Sequence, residues 1–239
     1  MLMLSERQHT ILEAMVREYV ATAEPVASAE LVRKYRLPYS SATVRNELQA
    51  LDEAGLLVQP HTSAGRVPTD KGYRLFINST LSKAEPMTRG EEKALRDVCG
   101  FDDPIEFMRH ASRAFAELTQ NFAVAGFPDD DLFYKSGMSE VMRAPEFSNV
   151  GTMQEFSSLV DVIEDKLFKL FDPEELSEPK TFVGNENPIR EARHWGMIIS
   201  SYKTPFKKES IVAILGPRRM DYERNISMLK YFREVLEAE

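Results

Sequence analysis

Helix start and stop residues recur three times between residues 5 and 55, and two short extended segments follow at once, an order that few folds accommodate. Ser5-Glu6-Arg7-Gln8 has the pattern of a capping box, in which the serine accepts from the third backbone amide and the glutamine reaches back. Ile11, Leu12, Met15, Val16 and Tyr19 continue at helical spacing and predict a first helix to about Ala21. Pro25 and Val26 interrupt it. Ser28 is placed to cap a second helix, AELVRKY, which stops before Leu37-Pro38. Ser40 or Ser41 then caps a third, with Val44, Leu48 and Leu51 on one face and Gly55 closing it. The last two helices, joined by a tight turn, have helix-turn-helix spacing. LLVQP and RVPT around HTSAG predict a hairpin, with Gly65 supplying backbone freedom to its turn, and Thr69 caps a fourth helix, DKGYRLFINSTL. A hairpin directly after a helix-turn-helix is a wing. Residues 1–80 are therefore expected to form a winged-helix domain.

Residues 81–103 are polar, contain Pro and Gly, and are expected to be a linker with one short helix at most. Residues 104–239 are expected to fold as one α+β domain with a mostly antiparallel sheet. Ile105, Phe107, Met108, Ala111, Phe115 and Leu118 make an amphipathic helix. NFAVAGF, LFYKSG, TFV, GMIISSY and SIVAIL are strand candidates. Thr152-x-x-Glu155 has a second capping-box pattern, opening a helix with Phe156, Leu159, Ile163, Leu167 and Leu170 inward. Tyr222, Ile226, Leu229, Phe232 and Leu236 line a closing helix.

The chain is acidic, 38 acidic against 30 basic residues, but its charge is uneven. Residues 31–76 hold seven basic and four acidic side chains, so an acidic protein carries a locally basic face. With the apolar face of the third helix turned inward, Thr43, Arg45, Asn46, Gln49 and Ala50 point out, and Ser41 lies near its start. Arginine pairs with guanine O6 and N7, asparagine and glutamine with adenine N6 and N7, and small side chains with a thymine methyl, so this stripe suits a major groove. An ordinary polar surface is the competing reading. His61, Thr62, Ser63 and Arg66 fall on or beside the hairpin tip. Lys71 and Arg74 open the fourth helix, where cations do not serve the helix dipole and are better used on phosphates. Arg66 has an alternative use as an ion-pair partner of Asp70.

The stretch from Ser40 to Arg74, SSATVRNELQALDEAGLLVQPHTSAGRVPTDKGYR, resembles the winged-helix signature of the heat-inducible transcription repressor HrcA family. The upstream LSERQHTILEAMVREYVATAEPVAS is similar to that family's opening helix. MRAPEFSNV, VGNENPIREAR and LGPRRMDYERNISMLKYF are similar to segments of its GAF-like C-terminal domain. The resemblance implies a winged helix followed by a GAF-like α+β domain, and a repressor of chaperone genes. Such a repressor would bind an inverted-repeat operator in double-stranded DNA as a homodimer, with activity linked to the chaperonin. It also implies that Ser41, Thr43, Arg45, Asn46 and Gln49 face base edges or nearby phosphates, and that His61, Thr62, Ser63, Arg66, Lys71 and Arg74 hold the DNA backbone. Two departures stand out. Arg36 occupies a turn where the family pattern has Gly, which argues against a left-handed residue there and opens either a different turn geometry or a new phosphate contact. Only Phe127 to Arg143 separates Gly126 from Ala144, where the family places further strands and an inserted dimerisation domain. The GAF-like domain is therefore expected to be reduced, and the dimer interface to differ.

Hydrophobic content of 43% with a single cysteine excludes a disordered, collagen-like or disulfide-stapled chain. MLMLSERQ has no basic start and no apolar run long enough for a signal peptide or membrane span, so a cytoplasmic, non-membrane protein is expected. His9, His61, His110 and His194 have no metal-ligand spacing with each other or with Cys99, and no glycine-rich phosphate loop follows a strand; no catalytic residue, metal or cofactor is expected. Asp129 to Asp131 suits a solvated turn, and Arg218-Arg219 a charged one. The alternative from another class is a ligand-sensing winged-helix regulator, with a small molecule held in the GAF-like domain by apolar strands and Trp195.

Overall fold

The computed structural model describes residues 4–61, 64–80 and 86–238, and the chain divides into two compact units, Met1–Ser82 and Lys83–Glu239. In the first unit, α1 (Glu6–Thr22) opens with the expected capping box between Ser5 and Gln8. Its buried Ile11, Leu12, Met15 and Val16 form the centre of a core completed by Leu31, Val44, Leu48, Leu51, Leu57, Phe76 and Ile77. α2 (Ser28–Tyr35) has no side-chain cap, because its cap residue is Ala27 and Ser28 is already inside the helix, with its hydroxyl 3.2 Å from that of Ser41. Ser40, not Ser41, caps α3 (Ser41–Glu53), accepting from the Thr43 amide.

The turn between α2 and α3 departs from expectation. Arg36 closes α2 in the left-handed conformation, φ 49° and ψ 41°, although its side chain argued against this. A non-glycine residue there costs roughly 1–2 kcal/mol. The chain accepts the cost because residues 36–40 must bring α3 back to a start that is fixed against Ser28.

The wing is antiparallel, β1 (Leu57–Val58) against β2 (Val67–Pro68). A third piece joins it, for Val26 and Arg66 exchange backbone hydrogen bonds of 2.9 and 3.0 Å. Gly65 is needed for that approach rather than for freedom in the turn, since a Cβ on it would lie 2.4 Å from the carbonyl carbon and oxygen of Val26. Thr69 caps α4 (Asp70–Thr80) as expected, accepting from the Gly72 amide while its hydroxyl donates to the Gly55 carbonyl.

In the second unit, the stretch read as a linker contains α5 (Arg89–Cys99), an amphipathic helix with buried Leu95 and Val98 and a capping box between Thr88 and Glu91. Burial pushes the Glu91 carboxyl up, but hydrogen bonds from the Thr88 amide and hydroxyl and from Arg224 outweigh it and hold the group below its ordinary value of 4.5. A depressed carboxylate pKa stabilises the fold above the unfolded value, and that stability is lost as pH falls through the folded one. Glu91→Gln is expected to cost about 1 kcal/mol at neutral pH. The difference from the parent, measured by urea melts, should vanish in acid below the usual glutamate range; a cost that persists there counts against the cap.

α6 (Pro104–Thr119) leads into β3 (Phe122–Phe127) and β4 (Leu132–Ser136), then α7 (Met138–Val141) and α8 (Val150–Leu170). β5 (Lys180–Val183), β6 (Trp195–Lys203), β7 (Glu209–Pro217) and α9 (Tyr222–Ala238) complete the unit. The sheet order is β4-β3-β7-β6-β5 with every neighbouring pair antiparallel. Alternation along the strands sends Phe122, Val124, Trp195, Met197, Ile199, Ile211, Ala213 and Leu215 to one face, where Phe156, Leu159, Ile163 and Leu167 of α8 cover them. α6 and α9 cover the opposite face, where Phe115 and Tyr202 both meet Phe232 edge-on at 5.3 Å. The result is the expected winged helix followed by a reduced GAF-like α+β domain.

Two details differ from expectation. α8 begins earlier than the Thr152 pattern suggests, because Asn149 takes the cap by accepting from the Gly151 amide at 2.7 Å. Leu170, its last residue, is 48% exposed rather than inward.

Candidate nucleic-acid interface

α3 is seated from three sides. Val44, Leu48 and Leu51 enter the core, the Ser28 to Ser41 contact ties its start to that of α2, and the nearly buried Glu47 is ion-paired with Arg7 of α1. The Arg7 guanidinium also lies over the Tyr39 ring, 5.9 Å from its centroid. A second buried acid, Glu18 of α1, holds α2 through Lys34 at 2.6 Å. Burial and this carboxylate push the neighbouring Tyr35 phenol up to about 12. Sequence reasoning missed both acids. Glu47 had a signal, since it falls within the inward arc of Val44, Leu48 and Leu51; Glu18 had one in its place between Met15 and Tyr19.

Pinned this way, α3 exposes Arg45, Asn46 and Gln49. The Gln49 amide donates to Glu53 at 3.0 Å, along the helix surface. Ser41 and Thr43 are half-buried, and their hydroxyls hydrogen-bond Ser28 and Ser40 respectively. The reading stripe therefore has three outward polar side chains and two near the helix start that are already engaged.

The wing lies beside it. Gln59 closes the hairpin by donating to the Ala64 carbonyl at 2.9 Å, and His61 at the tip is exposed. Thr62 and Ser63 lie outside the described residues. Arg66 Nε donates to Asp52 Oδ2 at 3.0 Å, with only 16% of its side chain exposed. The partner is thus an acid on α3, not the nearby Asp70 suggested by sequence order, and the pair locks the wing to the helix. Lys71 is exposed and Arg74 half-buried on α4.

Ion pairing sorts the cations of this unit. Arg7, Arg17, Lys34 and Arg66 have carboxylate partners. Arg33, Arg36, Arg45 and Lys71 are exposed and have no counter-ion among the described residues. Four exposed cations left over, one of them on the outward face of α3, suit the unit to a polyanion.

The second unit offers less chemistry. Among the described residues no group of three or more His, Cys, Asp and Glu side chains is placed to hold a metal ion, and no helix is long and apolar enough to cross a membrane. Trp195, which the ligand-sensing alternative assigns to a cavity, is buried with its indole stacked on Phe147 at 5.2 Å and met edge-on by Phe156 at 4.8 Å. Asp130 pairs with Lys208, and Arg219 grips Glu146 at 2.7 and 3.1 Å. A groove of about 500 Å³ lies between α9 and the ends of β6 and β7. Its principal cation, Arg233, is already used, donating to Ser200 Oγ and the Ser201 carbonyl and lying over Tyr202.

An exposed helix-turn-helix braced by a wing, followed in the same chain by an α+β domain, defines a two-domain winged-helix protein. Residues 3–82 match the family model for the winged helix-turn-helix transcription repressor HrcA DNA-binding domain, and residues 76–226 match that of the HrcA protein C terminal domain; the chain belongs to the HrcA family. It is 46% identical over 127 residues to the heat-inducible transcription repressor HrcA of Nocardioides sp., covering 53% of this chain and 37% of that protein. It is 44% identical over 126 residues to the HrcA of Thermobifida fusca, covering 52% and 36%. The matched segment thus spans little more than a third of these relatives' own length. In fold, the chain is similar to a crystal structure of a hypothetical protein, with a TM-score of 0.81 at 18% identity, covering 99% of this chain and 98% of that one.

Proposed function

We propose that the chain is a sequence-specific, non-catalytic repressor of heat-shock genes, with residues 1–80 as its DNA-binding domain, acting in the cytoplasm on an inverted-repeat operator as a homodimer. The observation that carries this reading is α3, held rigidly from three sides with Arg45, Asn46 and Gln49 outward. Arg45 reads a guanine edge, Asn46 and Gln49 read adenine edges, and Gln49 exchanges its bond to Glu53 for one to the base. Ser41 and Thr43 contact the backbone near the helix start. His61, Thr62, Ser63, Lys71 and Arg74 hold phosphates, while Arg66 positions the wing through Asp52.

One winged helix covers about half a palindrome, so a two-fold operator calls for two protomers. Dimerisation uses a surface of residues 104–239. The chaperonin modulates repression by raising the folded fraction, and heat lowers it; a change of one or two kcal/mol in stability shifts that fraction severalfold.

Selection of bound fragments from random duplex DNA at physiological salt, with the mass of the complex measured, tests site, symmetry and stoichiometry together. Arg45→Ala is expected to cost about 1–3 kcal/mol on the selected site and to relax preference at one base pair while leaving mixed-sequence binding nearly unchanged. Equal losses on selected and mixed DNA would remove Arg45 from base reading.

A further inference from the structure

We propose that Arg33 and Arg36 form a second phosphate-binding point, at the end of α2 remote from the wing, that holds the DNA backbone on the far side of the groove entered by α3. The proposal deepens the DNA-binding reading above and rests on it. Of the four cations in the first unit with no counter-ion among the described residues, Arg45 lies on α3 and Lys71 opens α4; Arg33 and Arg36 are the other two. Three residues apart across the last turn of α2, they are close enough to act on one phosphate or on two adjacent ones.

Conformation singles out Arg36. It takes a left-handed backbone (φ 49°) that glycine adopts without strain, yet its side chain makes no hydrogen bond or ion pair among the described residues. Closure of the turn calls for a left-handed residue, but no side-chain contact among the described residues calls for an arginine there. The helix dipole favours a cation at both positions, Arg33 in the last turn and Arg36 at the cap, but a cation in the last turn serves it without left-handed strain.

Placement supplies the rest. Val26 is bridged to Arg66 of the wing, and Ser28 touches Ser41, so the first residue of α2 lies beside both the wing strand and the start of α3. The eight residues of α2 then run about 12 Å to the opposite end, where Arg33 and Arg36 stand. A major groove is also about 12 Å wide. The end of α2 that carries Arg33 and Arg36 is thus about one groove width from the wing strand and the start of α3, the separation of the two phosphate strands that border the groove.

The test uses the whole 239-residue protein and a mixed-sequence DNA duplex, with affinity measured between about 0.05 and 0.2 M salt. Arg36→Gly should raise the melting temperature of the winged-helix unit by about 4 °C through relief of the left-handed residue. It should nevertheless weaken binding on the order of fivefold and flatten the log-log salt slope by about 0.9. Arg33→Gln should flatten the slope equally, and Arg36→Lys should restore it. A stabilised Arg36→Gly that binds with the parent's affinity and slope, alongside an unchanged Arg33→Gln, overturns the proposal and leaves the role of α3 intact. Failure of the parent itself to bind any duplex overturns both.

Discussion

Gly65→Ala is expected to dismantle the wing and abolish DNA recognition with it. The new Cβ would lie 2.4 Å from both the carbonyl carbon and oxygen of Val26 and 2.7 Å from the carbonyl carbon of Pro25. All three are backbone atoms, so no side chain can swing aside. The chain can only part there, losing the two hydrogen bonds between Val26 and Arg66 and carrying Arg66 away from Asp52. Each lost bond costs about 1 kcal/mol, and with the remaining strain the total reaches about 3 kcal/mol. For a unit of this size, that lowers the melting temperature by more than about 12 °C. Gly55→Ala is the informative comparison: Gly55 has a left-handed φ of 73° but open space around it. Its replacement should cost only about 1 kcal/mol. Urea melts of the two variants, with amide exchange at Val26 and Arg66, separate steric exclusion from backbone preference. Similar costs for both would show that the contact with Val26 yields easily.

The sequence features that proved legible are those in which one short window contains both the signal and its physical cause. The Ser5 and Gln8 cap, the helical arc of Ile11 to Val16 and the continuous apolar runs of β6 and β7 need nothing from elsewhere in the chain. Thr152-x-x-Glu155 has the same pattern as the real boxes, yet Asn149 upstream had already started the helix, and the local rule could not rank them. α5 was read as no more than a short helix of a linker because Arg, Glu, Lys and Asp dominate it, while Leu95 and Val98 are too few to mark a packed helix until α6 and α9 are present to bury them.

The candidate site divides along the same line. That Arg45, Asn46 and Gln49 would be outward followed from the inward arc of their own helix. What holds that helix did not follow, because Arg7 to Glu47, Ser28 to Ser41 and Asp52 to Arg66 join residues 40, 13 and 14 positions apart. The partner of Arg66 was misplaced for this reason: Asp70 is near in sequence, whereas the Val26 bridge brings Asp52 near in space. Arg36 shows the opposite limit. Its intrinsic preference was read correctly, and the closure of the turn between α2 and α3 overrode it.

Phe156→Ala should destabilise the second unit by about 3–5 kcal/mol, the range for removing a buried aromatic ring. Phe156 is fully buried and central to a cluster, 4.8 Å from Trp195, 5.2 Å from Phe147 and 5.7 Å from Phe122 between ring centroids. α8 is the long helix on this face of the sheet, so the ring joins that helix to β3, to β6 and to the 3-10 turn at residues 145–148. Removal leaves a cavity that no neighbouring helix on that face can close. The chain's one tryptophan reports the event directly. Its indole N–H is buried without a hydrogen-bond partner among the described residues, so water entering the cavity would gain a donor and shift the Trp195 emission to longer wavelength. Phe156→Leu, which keeps most of the volume, should recover more than half of the lost stability and the parent's emission. If the second unit joins the two copies on a palindrome, Phe156→Ala should also weaken operator binding while leaving single half-site binding by α3 unchanged, because Phe156 belongs to the core of the second unit. Loss of both together would mean that folding of the winged helix depends on the second unit. Retention of both would place the dimer contact outside the sheet that α8 covers.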